Sequence, residues 1–364
     1  MATAVTSLSA LRQQTNIHIE GRTIGPGQPV YVIAELSANH QQDFERAARL
    51  IELAKEAGAD AVKLQTYTPD TITIQSDREE FRIGGGTIWD GQSLYELYGE
   101  AFTPWEWQPQ LKKMANAAGL ALFSSPFDET AVDFLEKMEV PAYKVASFEL
   151  VDIPLIRKMA RTGKPLIMST GMATVAEIEE AITAARSEGA HEIALLKCSS
   201  AYPAPPGEMN LRTIPELAHR FGVPGGLSDH TMGIAAPVAA VTLGACIIEK
   251  HLTLSRADGG PDAAFSLEPH EFRSMVQAVR FTEDALGNVR FGPAEREQAS
   301  CAFRRSLFVV QDMKLGEIFT SKNVRSIRPA HGLHTRYLPE ILGRRSACDI
   351  EKGTPLNWGL VSRS

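Results

Sequence analysis

Cysteine is scarce in this chain of 364 residues, and its positions follow no pattern that would bind a metal or build a disulfide framework. The four cysteines are Cys198, Cys246, Cys301 and Cys348, and no two of them form a C-x-x-C pair. Such spacing argues against both a disulfide-stapled fold and a thiolate zinc site. The sequence therefore predicts reduced thiols, as in a cytoplasmic protein.

Basic charge is also in short supply. The chain has 37 Lys and Arg residues against 44 Asp and Glu residues, which gives a formal net charge of −7. Proteins that bind nucleic acid usually carry a basic excess that neutralises the phosphate backbone. This balance therefore predicts no nucleic-acid partner.

Long apolar runs are nearly absent. The longest uncharged run, residues 231–248, approaches the length of a membrane span, but Gly233, Pro237 and Gly244 interrupt it. We interpret this run as a buried helix followed by a strand, and we predict no association with a membrane. The first residues, MATAVTSLSALRQQT, lack the compact apolar core of a secretory signal and predict an N-terminal tail.

What the sequence does contain is an alternation of short β-rich apolar runs with longer amphipathic segments, starting at Val30. The eight apolar runs are VYVIAEL, AVKLQT, ALFSSP, AYKVASF, PLIMST, IALLKCSS, GGLSDH and ACIIEKHL. The segments between them predict helices that include residues 43–58, 105–119, 128–138, 174–188 and 233–243. Eight strands alternating with helices predict an α/β fold of the closed (β/α)₈ class, the TIM barrel, rather than a doubly wound sheet. The seventh run is the least typical strand, because it is short and rich in glycine.

Two parts of the chain fall outside this alternation. Residues 16–29 predict a short hairpin with a Gly-Arg turn, and the end of the chain has short β-like runs such as SLFVV and PLNWG. We therefore predict an N-terminal tail and hairpin over residues 1–29, a barrel domain over 30–290, a linker over 291–305 and a small β-rich domain over 306–364. Within the barrel domain, the glycine-rich stretch 75–99 predicts a flexible lid.

Polar and ionisable residues follow nearly every predicted strand. In a parallel barrel the carboxyl ends of all strands meet at one rim, where active sites lie. The strand ends carry Glu35, Lys63 with Gln65, Ser125, Lys144 with Ser147, Ser169, Lys197 with Ser200, Asp229 with His230, and Glu249 with His251. Because buried ionisable groups are costly without a partner or a function, this pattern predicts an active site at the rim. Glu35 and Glu149 are candidates to orient water or to transfer protons there.

His230 and His251 close the seventh and eighth predicted strands. Adjacent barrel strands lie about 5 Å apart, so two imidazoles at matching heights can share one metal ion. With no third His or Cys nearby in the sequence, a closed zinc site is disfavoured, and an octahedral ion such as Mn²⁺ fits better. The alternative for each histidine is a hydrogen-bonding role in the rim.

Lys63 and Lys144 occupy strand positions where a barrel core would normally have Val or Ile. Together with Ser125, Ser147 and Ser169 they form a set of hydrogen-bond donors that suits a phosphate and a carboxylate. We therefore predict an anionic, phosphorylated substrate.

Two other kinds of function remain open at this point. Lys197 and Lys250 also lie on predicted strands, and a strand lysine is the usual nucleophile of a Schiff-base pyruvate aldolase. A non-catalytic sugar-binding barrel is the third alternative, and it would have lost its polar rim residues.

The order of the motifs resembles the sialic acid synthase family, whose members condense phosphoenolpyruvate with an amino-sugar aldehyde. The motifs that carry the resemblance are IAELSANH, AVKLQTYTPDT, LFSSPF, YKVASFE, STGM, KCSSAYP, GLSDHT, EKH, GPD and RPAHGLH. They extend from about Val30 to the C-terminus in the order of the family. The resemblance implies a TIM barrel joined to a type III antifreeze-like domain, in a domain-swapped homodimer.

The resemblance also implies roles for individual residues. His230 and His251 match the metal ligands of the family, for Mn²⁺ or alternatively Mg²⁺ or Co²⁺, and Glu35 matches a carboxylate near the reacting carbons. The positions that match the phosphoenolpyruvate site are Lys63, Ser125, Lys144, Ser147, Ser169 and Ser228. Tyr202 and Asp262 match residues close to the sugar, Ser200 lies at a position where the sugar pocket of the family varies, and Gln65 is a further candidate for substrate binding. Arg328 matches an arginine that the antifreeze-like domain inserts into the active site of the partner subunit.

Within the family, the features GGGTIWDGQSLYELY, KLQTYTPD and ASFE resemble the branch that makes pseudaminic acid. The acceptor of that branch is 2,4-diacetamido-2,4,6-trideoxy-L-altrose. Ser200 in CSSAYP departs from the N-acetylneuraminate branch, which has Asn there, and ASFE departs from its GSGE. The sequence therefore predicts a metal-dependent transferase that forms pseudaminic acid and phosphate, with N-acetylneuraminate or legionaminic acid synthesis as alternatives.

Overall fold

The structure is a computed structural model, and it describes residues 16–362. The chain divides into two compact units, of which the first ends at Gly287 and the second begins at Asn288. The predicted N-terminal tail, residues 1–15, lies outside the described residues.

The first unit is built around a closed barrel of eight parallel strands. Its elements in chain order are β1 (Ile17–Ile19), β2 (Arg22–Ile24), β3 (Tyr31–Glu35), α1 (Phe44–Ala57), β4 (Ala61–Thr66), α2 (Pro69–Ile72), α3 (Leu94–Ala101), α4 (Gln108–Ala117), β5 (Ala121–Pro126), α5 (Glu129–Lys137), β6 (Tyr143–Val145), α6 (Ile153–Ala160), β7 (Leu166–Ser169), α7 (Val175–Ser187), β8 (Ile193–Cys198), α8 (Thr213–Phe221), β9 (Gly225–Asp229), α9 (Ala235–Thr242), β10 (Ile247–His251) and α10 (Pro269–Leu286). Strands β3 to β10 pair in chain order, and β10 closes the barrel by pairing with β3. The predicted fold class and all eight predicted strands are confirmed.

Capping residues set the borders of the helices, as α1 illustrates. Its first turn follows Asp43, whose carboxylate accepts hydrogen bonds from the backbone N–H groups of Glu45 and Arg46. It ends at Gly58, whose φ of 90° is a left-handed conformation that glycine adopts at low cost. The helix predicted over residues 43–58 is confirmed, and its two caps are the residues at which the sequence placed its ends.

The glycine-rich strand β9 fits the barrel because Gly226 has no side chain at the place where both neighbouring strands come close. A Cβ atom on Gly226 would lie 2.5 Å from Cδ2 of Leu196 and 2.6 Å from the carbonyl oxygen of Ile247. These neighbours belong to β8 and β10, which fill the space on either side. The run that least resembles a strand in the sequence is therefore a strand whose neighbours approach its backbone closely.

An antiparallel hairpin formed by β1 and β2 precedes the barrel. Ile17 pairs with Ile24, and the buried isoleucines of both strands belong to the same apolar core as the barrel strands. The turn residues are Glu20 and Gly21, with φ of 48° and 78°, rather than the predicted Gly-Arg pair. Positive φ at both central residues is typical of a type I′ hairpin turn, whereas Arg22 already belongs to β2.

The longest connection at the barrel rim joins β4 to α4. This lid segment, residues 67–107, contains α2, α3 and a hairpin-like loop between Arg82 and Ser93. At the tip of the loop, the carboxylate of Asp90 accepts hydrogen bonds from the N–H groups of Gly86 and Thr87, at 2.8 and 2.9 Å. The loop is therefore held in shape by its own hydrogen bonds.

The longest uncharged run of the sequence folds as α9 followed by β10, as predicted. The helix has only eight residues, and the strand is part of the barrel wall. Throughout residues 16–362, each helix is too short or too polar to cross a lipid bilayer.

The second unit is a small β-rich body with an apolar core of its own. It contains β11 (Ser306–Val309), β12 (Val324–Ile327) and α11 (Leu338–Ile341), and its two strands pair antiparallel. The core includes Leu307, Phe319 and Leu356. Gly332, in the motif RPAHGLH, has to be glycine, because a Cβ atom there would lie 2.1 Å from the carbonyl oxygen of Leu307.

A buried ion pair joins the ends of β9 and β10. Nζ of Lys250 lies 2.6 Å from Oδ2 of Asp229, and both side chains are completely buried. Lys250 also donates to the carbonyl oxygen of Thr231, while Asp229 accepts from the N–H and the hydroxyl of Thr231. Because successive side chains of a strand point to opposite faces, Lys250 lies on the face opposite to that of Glu249 and His251.

We predict that Lys250→Met lowers the free energy of unfolding by about 3–5 kcal/mol, because it leaves the carboxylate of Asp229 buried without its cation. Urea denaturation followed by circular dichroism measures the change. Lys158→Met is the control, since Lys158 pairs at 2.8 Å with the exposed Asp133 and such surface pairs contribute about 0–1 kcal/mol. An equally small loss for both variants would contradict the structural role of the buried pair.

Candidate active site

A cavity of about 500 Å³ opens at the carboxyl ends of the barrel strands. It lies at the rim where the sequence predicts the site. The predicted site residues that line it are Lys63, Gln65, Lys144, Ser147, Ser169, Tyr202, Ser228, His230, His251 and Asp262. Barrel closure thus brings together side chains that are far apart in the sequence.

Four of the predicted site residues do not line this cavity. Glu35 and Ser125 are buried beside it, in contact with Lys63. Ser200 is half-buried, and its hydroxyl has no hydrogen-bond partner among the described residues. Arg328 is an exposed residue of the second unit and directly follows β12.

Lys63 is the centre of a buried cluster of charges. Its Nζ atom lies 2.5 Å from Oε2 of Glu35 and 3.6 Å from Oε1 of Glu249, and it donates to Oγ of Ser125 at 3.3 Å. Burial by itself lowers the pKa of Lys63, but the carboxylates of Glu249 and Glu35 more than offset burial, so the pKa is raised. Lys63 therefore keeps its positive charge inside the barrel.

The two carboxylates of this cluster differ in their protonation. Removal from water raises the pKa of Glu35 to about 7, although Lys63 acts in the opposite direction. Burial also acts to raise the pKa of Glu249, but the ammonium groups of Lys144 and Lys63 prevail and lower it. Glu35 can therefore bind or release a proton near neutral pH, while Glu249 stays ionised.

Lys144 is buried but lacks a carboxylate partner. Its Nζ atom donates to Oγ of Ser169 at 2.6 Å and to the carbonyl oxygen of Val145 at 2.9 Å. Burial lowers the pKa of this ammonium group. Within residues 16–362 no salt bridge to Lys144 is formed, so a buried cation faces the cavity with room for an anion.

Hydroxyl groups converge on Gly171, which follows β7. The N–H of Gly171 donates to Oγ of Ser147 at 3.2 Å. A Cβ atom on Gly171 would lie 2.4 Å from Oγ of Ser200 and 2.6 Å from Oγ of Ser147. The glycine of the STGM motif thus leaves room for two hydroxyl groups beside the cavity.

The imidazoles of His230 and His251 are neighbours, with ring centroids 5.3 Å apart. Nδ1 of His230 lies 2.8 Å from the carbonyl oxygen of Ser199 and donates a hydrogen bond to it, which leaves Nε2 as the atom that a metal would bind. Burial acts to lower the pKa of His230, but Cys198 and this carbonyl group more than offset burial, so the pKa is raised. Burial holds the pKa of His251 well below its usual value, and its Nδ1 atom has no hydrogen-bond partner among the described residues. A neutral imidazole with a free lone pair is the form that binds a metal.

This pair of imidazoles fits a divalent metal ion that is held by two protein ligands. In the described part of the chain, no group of three or more His, Cys, Asp or Glu side chains is arranged to hold a metal. Two ligands leave the remaining coordination positions to substrate or water, which suits an octahedral ion better than a closed zinc site.

Aromatic rings connect the lid segment to this wall of the cavity. The ring of Tyr202 lies 4.4 Å from that of His230, and the ring of Trp89 lies 5.5 Å from that of Tyr202. Nε1 of Trp89 also donates to the carbonyl oxygen of Pro261 at 2.9 Å. The lid segment is thereby attached to the same side of the cavity as the histidines.

Asp262 and Glu149 are two further acids that line the cavity. Burial raises the pKa of Asp262 to about 6 and that of Glu149 to about 7. Asp262 accepts a hydrogen bond from the N–H of Ala38 at 3.4 Å, whereas Oε2 of Glu149 has no partner among the described residues. Both carboxyl groups can therefore bind or release a proton near neutral pH, and both can form a hydrogen bond with a polar ligand.

The lysines of the aldolase alternative do not line the cavity. Lys250 is held in the ion pair with Asp229, and Nζ of Lys197 donates to the carbonyl oxygen of Cys198 at 2.7 Å. A Schiff-base lysine has to reach its substrate. The positions of these two side chains therefore argue against that alternative.

The motifs do not identify every residue of the site. Glu249 lies at the end of the eighth predicted strand and no motif assigns it a role, although it lies two residues before His251 and so shares its face. Gly171 carries no chemistry of its own, and only packing reveals its role. The apolar side chains of the lid segment have no sequence signal beyond hydrophobicity.

The chain is similar to known proteins over most of its length. Residues 50–291 match the model of the NeuB family, and residues 304–362 match that of the SAF domain. A pseudaminic acid synthase of Helicobacter pylori is 45% identical over a match that covers 93% of this chain and 99% of that protein. One of Campylobacter jejuni is 46% identical over 90% of this chain and 95% of that protein.

A solved structure supports the same relationship. The crystal structure of N-acetylneuraminic acid (sialic acid) synthetase from Leptospira borgpetersenii, in complex with citrate, superposes with a TM-score of 0.70 at 31% identity. The superposition covers 79% of this chain and 95% of that one. The chain therefore belongs to the NeuB family and carries a SAF domain after its barrel, which confirms the resemblance of its motifs to the sialic acid synthases.

Proposed function

We propose that this protein condenses phosphoenolpyruvate with 2,4-diacetamido-2,4,6-trideoxy-L-altrose to give pseudaminic acid and phosphate. The observation that carries the proposal is the identity of 45% and 46%, over nearly the whole chain, to two pseudaminic acid synthases. The cavity supports it, because buried lysines, two neighbouring imidazoles and acids that can exchange a proton near neutral pH line one space.

The donors at the barrel mouth suit the anionic groups of phosphoenolpyruvate. Lys144 is a buried cation without a carboxylate partner, and a bound phosphate or carboxylate would supply the missing charge. Ser147 and Ser169 add hydroxyl donors next to it, and Ser228 lines the same space. Lys63 and Ser125 extend this set of donors along the neighbouring strands.

The reaction joins carbon 3 of phosphoenolpyruvate to the aldehyde carbon of the acceptor. The aldehyde oxygen takes up a proton and becomes a hydroxyl group, while positive charge develops at carbon 2. Water adds at carbon 2 and gives up one proton; phosphate then leaves as the carbon–oxygen bond to it breaks, and loss of the second proton of the water forms the keto group. Glu149, which lines the cavity, and Glu35, which lies behind Lys63 and Gln65, are the two acids that we propose to accept a proton of the water, because burial raises the pKa of each to about 7. The lysines and hydroxyls that bind phosphoenolpyruvate also stabilise the departing phosphate.

His230 and His251 are the residues that would hold a divalent metal, which we propose to be Mn²⁺, with Mg²⁺ or Co²⁺ as alternatives. Such an ion, when bound, polarises the aldehyde oxygen as a Lewis acid. The carbonyl group of Ser199 orients the imidazole of His230 by accepting a hydrogen bond from Nδ1, which leaves Nε2 to bind the metal. Polar groups of the sugar then contact Tyr202 and Asp262 on the same wall, with Gln65 and Ser200 nearby.

We further propose that the protein acts as a homodimer in the cytoplasm. Arg328 is exposed in the second unit, and we propose that it binds the sugar in the active site of a second copy of the chain. The four cysteines are free thiols, which is the state expected in a reducing compartment.

Incubation with phosphoenolpyruvate, Mn²⁺ and one amino sugar at a time tests the proposed function. We expect phosphate release to be at least about ten-fold faster with 2,4-diacetamido-2,4,6-trideoxy-L-altrose than with N-acetylmannosamine or the legionaminic acid precursor. Mass spectrometry identifies the product. Faster release with another sugar would contradict the assigned acceptor but leave the family reaction in place.

The same assay separates the condensation from an aldolase reaction. Chelation of the metal with EDTA should abolish phosphate release, and borohydride with pyruvate should leave the enzyme active. Activity that survives EDTA and is lost to borohydride would instead support the Schiff-base alternative.

We predict that His251→Ala abolishes Mn²⁺-dependent phosphate release and weakens Mn²⁺ binding by at least about ten-fold, because it removes one of two proposed ligands. Electron paramagnetic resonance of free Mn²⁺ measures binding without turnover. His219→Ala is the control, since His219 is exposed on α8. Unchanged binding and turnover in His251→Ala would remove the metal site from this mechanism.

Mixed dimers test the action of Arg328 in the active site of a second copy. Arg328→Ala and His230→Ala should each be inactive alone, and mixing them should restore phosphate release, because one site of the mixed dimer then has all its residues. Arg325→Ala, which changes an exposed arginine of β12, should keep full activity. If the mixture recovers no activity, Arg328 acts in the active site of its own chain or has no role in the reaction.

A further inference from the structure

The turn that directly follows β3 is buried at the rim of the barrel. All four residues of this SANH turn, Ser37–His40, are buried. The imidazole of His40 lies 3.1 Å from Oγ1 of Thr103, and it packs edge-to-face with the ring of Trp107. His40 therefore attaches the SANH turn to the end of the lid segment.

The side chain of Asn39 connects the SANH turn to two later segments of the chain. Its Nδ2 atom donates to the carbonyl oxygen of Leu252 at 3.0 Å and to Oγ of Ser266 at 2.9 Å. These three residues are at most 1% exposed. A backbone carbonyl oxygen only accepts hydrogen bonds, so the amide nitrogen and not the amide oxygen has to face Leu252. Asn39 thus uses both of its N–H groups inside the protein.

The bond to Leu252 fixes the backbone next to His251. Leu252 directly follows His251, and its N–H donates to the carbonyl oxygen of Glu35 at 2.9 Å. Asn39 binds the carbonyl group of the same residue. Both polar backbone groups of Leu252 are therefore held by the end of β3 and the SANH turn.

The bond to Ser266 fixes the loop that carries Asp262. The hydroxyl group of Ser266 accepts from Asn39 and donates to the carbonyl oxygen of Asp262 at 2.6 Å. The carboxylate of Asp262 also accepts from the N–H of Ala38, which precedes Asn39, at 3.4 Å. The SANH turn therefore holds Asp262 at its backbone and at its side chain.

We propose that Asn39 is a positioning residue that holds His251 and Asp262 in the arrangement that the reaction requires. The proposal rests on the proposed function, in which His251 would hold the metal ion and Asp262 contacts the sugar. Because one amide is bound to both segments at once, it fixes the two segments relative to each other.

Loss of this amide would leave two buried acceptors without their donor. Unpaired buried polar groups are costly, so the segments that carry Leu252 and Ser266 would move to recover hydrogen bonds. A displacement of about 1 Å is enough to impair an active site. We therefore expect the loss of Asn39 to weaken ligand binding and not only to lower stability.

Asn39→Ala tests the proposal with two measurements. We expect it to weaken Mn²⁺ binding, measured without turnover by electron paramagnetic resonance of free Mn²⁺, by about five-fold or more. At saturating Mn²⁺ it should raise KM for 2,4-diacetamido-2,4,6-trideoxy-L-altrose by a similar factor. KM for phosphoenolpyruvate should change by less than about two-fold, because Lys144, Ser147 and Ser169 are not bonded to the SANH turn.

Thr282→Ala is the control for lost stability. The hydroxyl group of Thr282 donates to the carbonyl oxygen of Ala278 at 2.7 Å within α10, and Thr282 is buried outside the cavity. Its removal also deletes a side-chain hydrogen bond to a backbone carbonyl, and it should leave Mn²⁺ binding and both KM values at the wild-type level. If Asn39→Ala behaves in the same way, Asn39 is only structural and the proposal is overturned.

Ser266→Ala separates the two arms of the link and does not require Asn39→Ala to fold. It should raise KM for the sugar by about three-fold or more and leave Mn²⁺ binding unchanged, because it breaks only the connection to Asp262. The double variant Asn39→Ala/Ser266→Ala should have the same KM for the sugar as Asn39→Ala, since both changes break one link. An unchanged KM in Ser266→Ala, or effects that multiply in the double variant, would contradict the link through Ser266.

Failure of the proposed function gives a different result. The wild type would then release no phosphate with any of the amino sugars, whereas Mn²⁺ binding would still report on the link between Asn39 and His251. Equal Mn²⁺ binding by the wild type and a folded Asn39→Ala would overturn that link, whatever the reaction is.

Discussion

Closure of the barrel by in-register pairing of β10 with β3 is the constraint on which the site depends. The pairing sets His251 opposite Glu35, and the pairing of β3 with β4 sets Glu35 opposite Lys63. A shift of one residue would turn each of these side chains to the other face of its strand. The backbone hydrogen bonds that stabilise the barrel therefore also determine which charges meet inside it.

Charges on the two faces of the barrel wall are satisfied in different ways. The pair of Lys250 and Asp229 has its hydrogen bonds completed by Thr231, so it needs nothing from outside the fold. Lys144 forms no ion pair among the described residues, although it interacts with the carboxylate of Glu249 strongly enough to lower the pKa of that group, and it faces the cavity. A buried ammonium group without a direct anionic contact is costly unless a ligand supplies one. The face of the barrel wall on which a buried lysine has no ion-pair partner is therefore the face that we expect to bind a ligand.

The charged and the uncharged lining of the cavity come from different parts of the chain. The strand ends and the short loops after them supply lysines, imidazoles and acids, whose positions the barrel backbone holds in place. The lid segment is the longest connection at the rim and lines the cavity with aliphatic and aromatic side chains and with the hydroxyl groups of Tyr67, Thr87 and Tyr98. Barrel enzymes commonly vary their loops while the strands stay constant, so the choice of acceptor can change without disturbing the reacting groups.

The sequence by itself determined the barrel and its polar rim, because apolar periodicity and the chemistry of strand ends are local properties. It identified both histidines, both cavity lysines and most of the serines. Only the tertiary structure decided that Glu249 joins Lys63, that Gly171 and Gly226 leave room for neighbouring groups, and which lid residues face the cavity. These are distances between segments remote in the chain, and they depend on register and barrel closure, which no local pattern encodes.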